Sequence, residues 1–211
     1  MSQNQSVPTA AEGENIENLS VKERLILSGI KEIEREGFHD FSLRHIAQLC
    51  GVSCAAPYKH FKDKQEFILE IIHYINQKWI AIQEGIMSLY AGDRQRQLLE
   101  VCMGYFRFLV DNPHFRSVIV TIPKSADPEQ LNARHELSAS LKKLVKEYGE
   151  EMGISEKMTE MRSFIVRSLI YGAAMFIDNR QMADDDATAT MVRAAIQREL
   201  SVGNGLEIQM C

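Results

Sequence analysis

The stretch Phe41-Ser-Leu-Arg-His-Ile-Ala-Gln-Leu-Cys-Gly-Val-Ser-Cys-Ala-Ala-Pro-Tyr-Lys-His-Phe61 constrains the fold of this chain more than any other, because it spells two short helices around a tight Gly-Val-Ser turn. Ser42 is placed to accept a hydrogen bond from an unpaired N–H of the first helix, whose buried side is Ile46, Ala47 and Leu49. Gly51 admits the positive φ that such a turn needs. A second helix is expected to restart at Ser53 or Cys54. Pro57 then falls in its first turn, where a missing N–H costs little, whereas in a helix interior it would cost about 3 kcal/mol or more. Ala55 and Ala56 keep the leading end slim, a shape that suits a DNA major groove with the preceding helix lying across the backbone.

More positions join this pattern: an amphipathic helix around Ile26, Ile30 and Ile33, then Gly37-Phe38, Ser42-Leu43-Arg44-x-Ile46-Ala47, Gly51-Val52-Ser53, Tyr58-x-His60-Phe61 and Asp63-Lys64. On these residues, positions 20 to 70 resemble the DNA-binding domain of the TetR family of bacterial transcriptional regulators. Two features depart from the family pattern. His45 stands where an acidic residue commonly completes a capping box with Ser42, and Ala55-Ala56-Pro57 replaces the more usual Gly-Thr-Leu.

Charge supports the same end of the molecule. Between Leu43 and Lys64 four cations (Arg44, Lys59, Lys62, Lys64) oppose Asp63 alone, a local +3 in a chain of 211 residues whose total is −5, which leaves −8 elsewhere. A basic head on an acidic body lets one end meet phosphates while the rest is repelled. A short charge run that merely solvates a helix end is the plain alternative. Ser42, Arg44, Tyr58, Lys59, His60 and Lys64 are expected at phosphates; Cys54, Ala55, Ala56 and Tyr58 approach base edges, with Ser53 at the turn. Few of these side chains are long hydrogen-bonding groups, so specificity would come from thymine methyls, groove shape and water.

Beyond Lys64 the apolar residues recur at helical steps: Ile68, Ile71, Ile72, Ile75, Trp79, Ile82, Ile86 and Leu89 on one long helix from about Gln65 to Tyr90, then Leu98, Cys102, Tyr105, Phe106 and Leu109. A short helix from His114 to Thr121 lies between prolines, and a loop runs from Pro123 to Pro128. Leu137 to Tyr148 form the next helix, ended by Gly149 and Gly153; an apolar segment from Met158 to Ile177 and a last helix after Asp184-Asp185-Asp186, punctuated by Gly203 and Gly205, complete the chain. The expected fold is all-α with about nine helices. It comprises a flexible arm over 1–19, a three-helix helix-turn-helix domain over 20–66 and a larger helical domain over 67–211.

The resemblance implies a homodimer through the last two helices, with Ser168, Gly172, Ala173, Met191, Ala194 and Ala195 at the interface; packing inside one protomer is the alternative. It also implies a small-molecule effector pocket among the middle helices. Candidates for its walls are Trp79, Met103, Phe106, Phe115, Ile119, Phe164 and Met175, with Tyr105, His114, His135 and Arg167 as polar anchors; core packing is the alternative for each. The function expected on this basis is a repressor that binds a palindromic double-stranded DNA operator as a dimer and leaves it when an apolar or amphipathic effector binds.

Other classes receive less support. No apolar run approaches the roughly 18 residues of a membrane span, and Met1 to Asn18 lacks a signal peptide's basic start and apolar middle, so a cytoplasmic location is expected. Cys50, Cys54, Cys102 and Cys211 form no CxxC pair, which argues against a disulfide framework or a zinc ribbon. A redox-responsive regulator is a second possibility: Cys54, at the start of the expected second helix and four residues from Cys50, would sit where a helix dipole favours thiolate over thiol. An enzyme is a third, but no HExxH, GxSxG or phosphate-cradling glycine loop is present, and no catalytic residue, cofactor or metal is expected.

Overall fold

The computed structural model describes residues 19–120 and 126–201, apart from the side chains of residues 120, 137, 138 and 140. Among these residues there are eight α-helices, one 3₁₀ turn and no strand. The helices are α1 (Val21–Asp40), α2 (Leu43–Leu49), α3 (Lys64–Leu89), α4 (Arg94–Asp111), α5 (Pro113–Val120), α6 (Pro128–Glu151), α7 (Glu156–Asp178) and α8 (Asp186–Ser201). The all-α expectation holds, and the long helix expected from Gln65 to Tyr90 is α3. Thr121, the Pro123 side of the expected loop, the N-terminal arm to Asn18, Gly203, Gly205 and Cys211 lie outside the described residues. Gly149 does not end a helix: α6 continues through it to Glu151, and the positive φ falls at Gly153.

The described residues form two compact units. One holds residues 19–80, 111–120 and 126–137; the other holds 81–110 and 138–201. The boundary expected after residue 66 falls inside α3.

In the first unit, α1 opens with a capping box: the Glu23 N–H donates to Ser20 Oγ (3.2 Å) and the Ser20 N–H donates to Glu23 Oε2 (2.9 Å). Its apolar face, Leu25, Ile26, Ile30 and Ile33, is buried with Leu43, Ile46 and Ala47 of α2. Below them stand three aromatic rings. Phe67 packs edge-on against Phe61 with centroids 4.8 Å apart and tilts against Phe41 at 5.9 Å. Gly29 makes room for this cluster, since a Cβ there would lie 2.3 Å from Phe67 Cζ. α5 packs on α1, and Arg134 of α6 donates to the Val118 carbonyl of α5 at 2.6 Å while its guanidinium stands 5.1 Å from the Phe38 ring centroid. His114 of α5 pairs with Glu34 of α1.

The second unit is a helical body whose core comes from Leu98, Val101, Cys102, Phe106 and Leu109 of α4, Leu141 and Leu144 of α6, Val166 and Ile170 of α7, and Val192 and Ile196 of α8. Polar ties cross it: Arg193 holds Glu100 through two bonds of 2.7 and 2.8 Å, and the Tyr105 and Tyr171 hydroxyls lie 2.8 Å apart. Burial pushes the Cys102 thiol up to about 12 and raises the Tyr105 hydroxyl, with Tyr171 beside it adding to the effect. Unfolding lets these groups lose protons at their ordinary values, so from about pH 9 upward the unfolded state binds fewer protons than the native state. Stability should therefore fall with rising pH by about 1.4 kcal/mol per pH unit from about pH 9 for Cys102, with Tyr105 adding to the fall only from about pH 10. Urea melts at about pH 8 and about pH 10 test this; a midpoint that does not drop contradicts it.

Candidate nucleic-acid interface

The turn after α2 is built by hydrogen bonds that a glycine makes possible. Gly51 sits at φ 67°, its N–H donates to the Gln48 carbonyl (3.0 Å), and the Val52 N–H reaches back to the Ala47 carbonyl (3.0 Å). This is a Schellman closure, which satisfies the last carbonyls of α2 and turns the chain sharply. Ser42 accepts from the His45 N–H at 3.5 Å, so the expected cap is present but long.

The second helix of the expected pair is shorter than its sequence suggests. In place of an α-helix from Ser53 or Cys54, the chain makes an i→i+3 turn from Ser53 to Ala56 and then a single 3₁₀ turn over Pro57–Lys59. The reason is Pro57. It has no N–H to donate to the Ser53 carbonyl, which takes the Ala56 N–H instead at 2.9 Å, so the α-helical ladder cannot start there. Ala56 adopts helical angles (φ −61°, ψ −41°) despite preceding a proline.

The result is an exposed polar and small-residue surface on a rigid support. Arg44, Gln48, Ser53, Cys54, Ala55, Tyr58, Lys59 and His60 are all exposed, as is Ser42, while Ala56 is half-buried. Pro57 and Phe61 point inward, and Phe61 joins the Phe41–Phe67 cluster. Asp63 closes the segment by accepting from the Gln65 and Glu66 N–H groups at 2.9 Å, capping α3. Leu49, expected on the buried side of α2, is 57% exposed beside Gln48 and belongs to this surface as well.

Two residues differ in role from their sequence assignment. Lys64 does not extend into solvent: its ammonium donates to the His39 carbonyl (2.8 Å) and the Phe41 carbonyl (3.0 Å) and sits 4.0 Å over the Phe41 ring. Burial lowers its pKa from the usual lysine value. It braces the end of α1 against α3. His45 finds a carboxylate outside α2: its Nδ1–H donates to Glu32 Oε1 at 2.7 Å. Glu32 is 5% exposed and also holds Arg35 at 2.8 Å, so a buried carboxylate on α1 fixes the orientation of α2. Sequence reasoning missed Glu32, whose only signal was its place on the apolar side of α1, one residue from Ile33.

The cysteines are placed differently from the redox expectation. Cys50 is half-buried, its Sγ within hydrogen-bonding reach of Ser28 Oγ (3.1 Å) and the Arg24 carbonyl (3.4 Å). Cys54 is exposed but precedes a 3₁₀ turn rather than opening an α-helix, so it does not stand at the α-helix N-terminus expected for it.

The expected effector residues fall in both units. Trp79, His114, Phe115, Ile119 and His135 belong to the first. Trp79 is buried, His114 is taken by Glu34 and Phe115 stacks edge-on to Tyr74. Met103, Tyr105 and Phe106 of the second unit are buried core, and Met175 is exposed. A cleft of about 500 Å³ between α6 and α7 includes Phe164 and Arg167, joined by residues that sequence reasoning did not single out, among them Lys142, Lys146 and Ser163. Of the expected dimer residues, Ser168, Met191 and Ala194 are exposed, Gly172 and Ala195 are half-buried, and Ala173 is 5% exposed and packs within its own unit.

A short capped helix, a Schellman turn and an exposed basic segment on an aromatic base have the layout of a helix-turn-helix, an arrangement that nucleic-acid-binding proteins use. Residues 25–71 match the family model described as "Bacterial regulatory proteins, tetR family". The chain is 28% identical over 113 residues to the Bacillus subtilis (strain 168) "Uncharacterized HTH-type transcriptional regulator YerO", a match that spans 52% of this chain and only 39% of that relative. Its fold resembles that of a TetR family transcription regulator from Marinobacter aquaeolei VT8, with a TM-score of 0.70 and 18% identity over 84% of this chain and 94% of that one. It also resembles the TetR family regulator PfmR from Thermus thermophilus (TM-score 0.65, 21% identity, 88% and 97% covered). No helix among the described residues is long and apolar enough to cross a membrane.

Proposed function

We propose that this chain is a ligand-responsive transcriptional regulator, acting as a cytoplasmic repressor that binds a palindromic operator as a homodimer and is released by a small apolar or amphipathic effector. The observation that carries this reading is the exposed surface from Ser42 to His60, presented on the buried Phe41, Phe61 and Phe67. Ser42, Arg44, Tyr58, Lys59 and His60 hold phosphates in this reading; Ser53, Cys54, Ala55, Ala56 and Tyr58 approach the bases. Lys64 contributes by positioning the end of α1. In domain terms, 20–66 is the DNA-binding part and 67–211 the effector and dimerisation part.

Support for a dimer comes from α7 and α8. Ile165, Met175 and Phe176 lie on one exposed face of α7, from 38% to 48% accessible, and Met191 of α8 is 55% exposed. Contiguous large apolar side chains left in water mark an association surface. Exposed Ser168 and half-buried Gly172 lie between them on α7, where a Cβ at Gly172 would meet nothing within 4 Å. The two reading heads of such a dimer meet half-sites about 34–36 Å apart.

Selection from random duplex DNA tests the reading: an enriched inverted repeat is expected, and no sequence preference at moderate salt refutes it. On the selected site, Lys59→Ala should weaken binding to all sequences and reduce the slope of log K against log salt by about 1 per half-site. An unchanged slope removes Lys59 from the phosphate contacts.

A further inference from the structure

The cleft between α6 and α7 carries opposite charge at its two ends, and this polarity limits its occupant more than its volume does. The helices are joined by a short link at residues 152–155 and run back along one another, so that Gly149 lies against Thr159. Glu156 and Glu160 stand at the link end of the cleft, Lys142 and Arg167 at the far end. Lys146 lies between and Glu150 beside the link, 3.9 Å apart, and they offset each other. No ion pair engages Glu156, Glu160, Lys142 or Arg167 among the described residues. Between the charged ends the wall is apolar at Val145 and Phe164, with Ile154 in the link at the acidic end, and the hydroxyls of Thr159 and Ser163 interrupt it.

Each of these features selects against some ligands. A volume of about 500 Å³ is that of a small-molecule site. A fatty acid would satisfy the cations but set its tail against two carboxylates. A cationic amphiphile meets the converse difficulty, and neither gives the two hydroxyls a partner. At 1.5 Å of rise per residue, Arg167 stands about 10 Å from Glu160 and about 16 Å from Glu156 along α7. An extended chain of three or four residues spans about 10–14 Å between its ends.

We propose that this cleft binds a short peptide of three or four residues with free termini, its ammonium toward Glu156 and Glu160 and its carboxylate toward Lys142 and Arg167. Apolar side chains of the peptide lie on Val145, Ile154 and Phe164, and its amide groups meet Thr159 and Ser163. This deepens the ligand-responsive reading above, on which its regulatory meaning rests, but the binding itself needs no DNA.

Isothermal titration of the full chain with Ala-Leu-Phe-Ala, its N-acetylated form, its C-terminal amide and dodecanoate tests the proposal. The free tetrapeptide should bind best, and capping either end should weaken it about fivefold. Glu160→Gln should cost the free peptide a similar factor while making N-acetylation nearly neutral; Arg167→Gln should do the same for amidation, with thermal melts confirming that both variants fold. Should a variant not fold, the four-ligand series on the unaltered chain decides alone. Equal binding of all four ligands, preference for dodecanoate, or no heat with any peptide, as would follow if a second copy of the chain fills the cleft, overturns it. Operator binding measured in parallel separates the two readings: peptide binding without DNA binding sinks the regulator and spares the cleft, and the reverse result sinks the cleft alone.

Discussion

Replacing Phe67 by alanine is expected to destabilise the first unit by about 3–5 kcal/mol and to abolish operator binding. Phe67 is fully buried, it touches both Phe41 and Phe61, and the backbone of α1 approaches it at Gly29 with no side chain between. Truncation removes the ring that two others lean on, and the residues around it cannot all move inward, because α1 is pinned at its far end by the Lys64 bonds to His39 and Phe41. The cavity therefore persists, and its cost adds to the lost transfer energy. Since an ordinary domain is stable by only about 5–15 kcal/mol, such a loss leaves the reading surface partly unfolded. Urea denaturation followed by far-UV dichroism measures the effect, with Leu49→Ala as the comparison. Leu49 is 57% exposed and its removal should change stability by less than about 0.5 kcal/mol. A Phe67→Ala protein as stable as the Leu49→Ala protein would show that the aromatic cluster is not the support.

The double variant Phe176→Glu, Met191→Glu should be a folded monomer whose affinity for the operator falls by about 10²-fold or more. Both side chains lie on exposed faces of α7 and α8 and outside the α6–α7 cleft, so the substitutions put charge on the proposed interface without disturbing the core. A carboxylate buried against its symmetry mate has no partner, and association loses more than the apolar area removed. Once monomeric, each head binds alone, and the gain from linking two half-site contacts, about 10²–10⁴, disappears. Sedimentation gives the oligomeric state and fluorescence anisotropy the affinity. Non-specific, salt-sensitive binding should survive, because the charges of the head are untouched. A variant that remains dimeric would move the interface elsewhere.

The parts of the molecule that were legible in the sequence are those set by local periodicity and capping. The apolar steps of α3 from Ile68 to Leu89, the Ser42 cap and the Gly51 turn were all visible because each depends on residues close in sequence. The α-helix expected from Ser53 was not found, although the residues that prevent it were in view. Pro57 reads equally well as an N-terminal helix residue and as a block to the ladder, and only the hydrogen bonds around Ser53 and Ala56 decide between them. Lys64 and Glu32 were illegible for another reason. Their partners, the His39 and Phe41 carbonyls and His45, are 13 to 25 residues away, and no local pattern marks a long-range bond. The cleft charges were hidden likewise, since Glu160 and Lys142 share a surface only after α6 and α7 fold back on one another.

The bond between Glu32 and His45 also bears on how portable this recognition element is. A chimera that moved residues 42–62 onto another scaffold would carry the imidazole away from the carboxylate that aims it, because that carboxylate sits on α1. Such a graft would inherit the exposed side chains proposed for the groove and lose their bearing. Transplanting Glu32 along with the segment is the condition for moving its sequence preference intact.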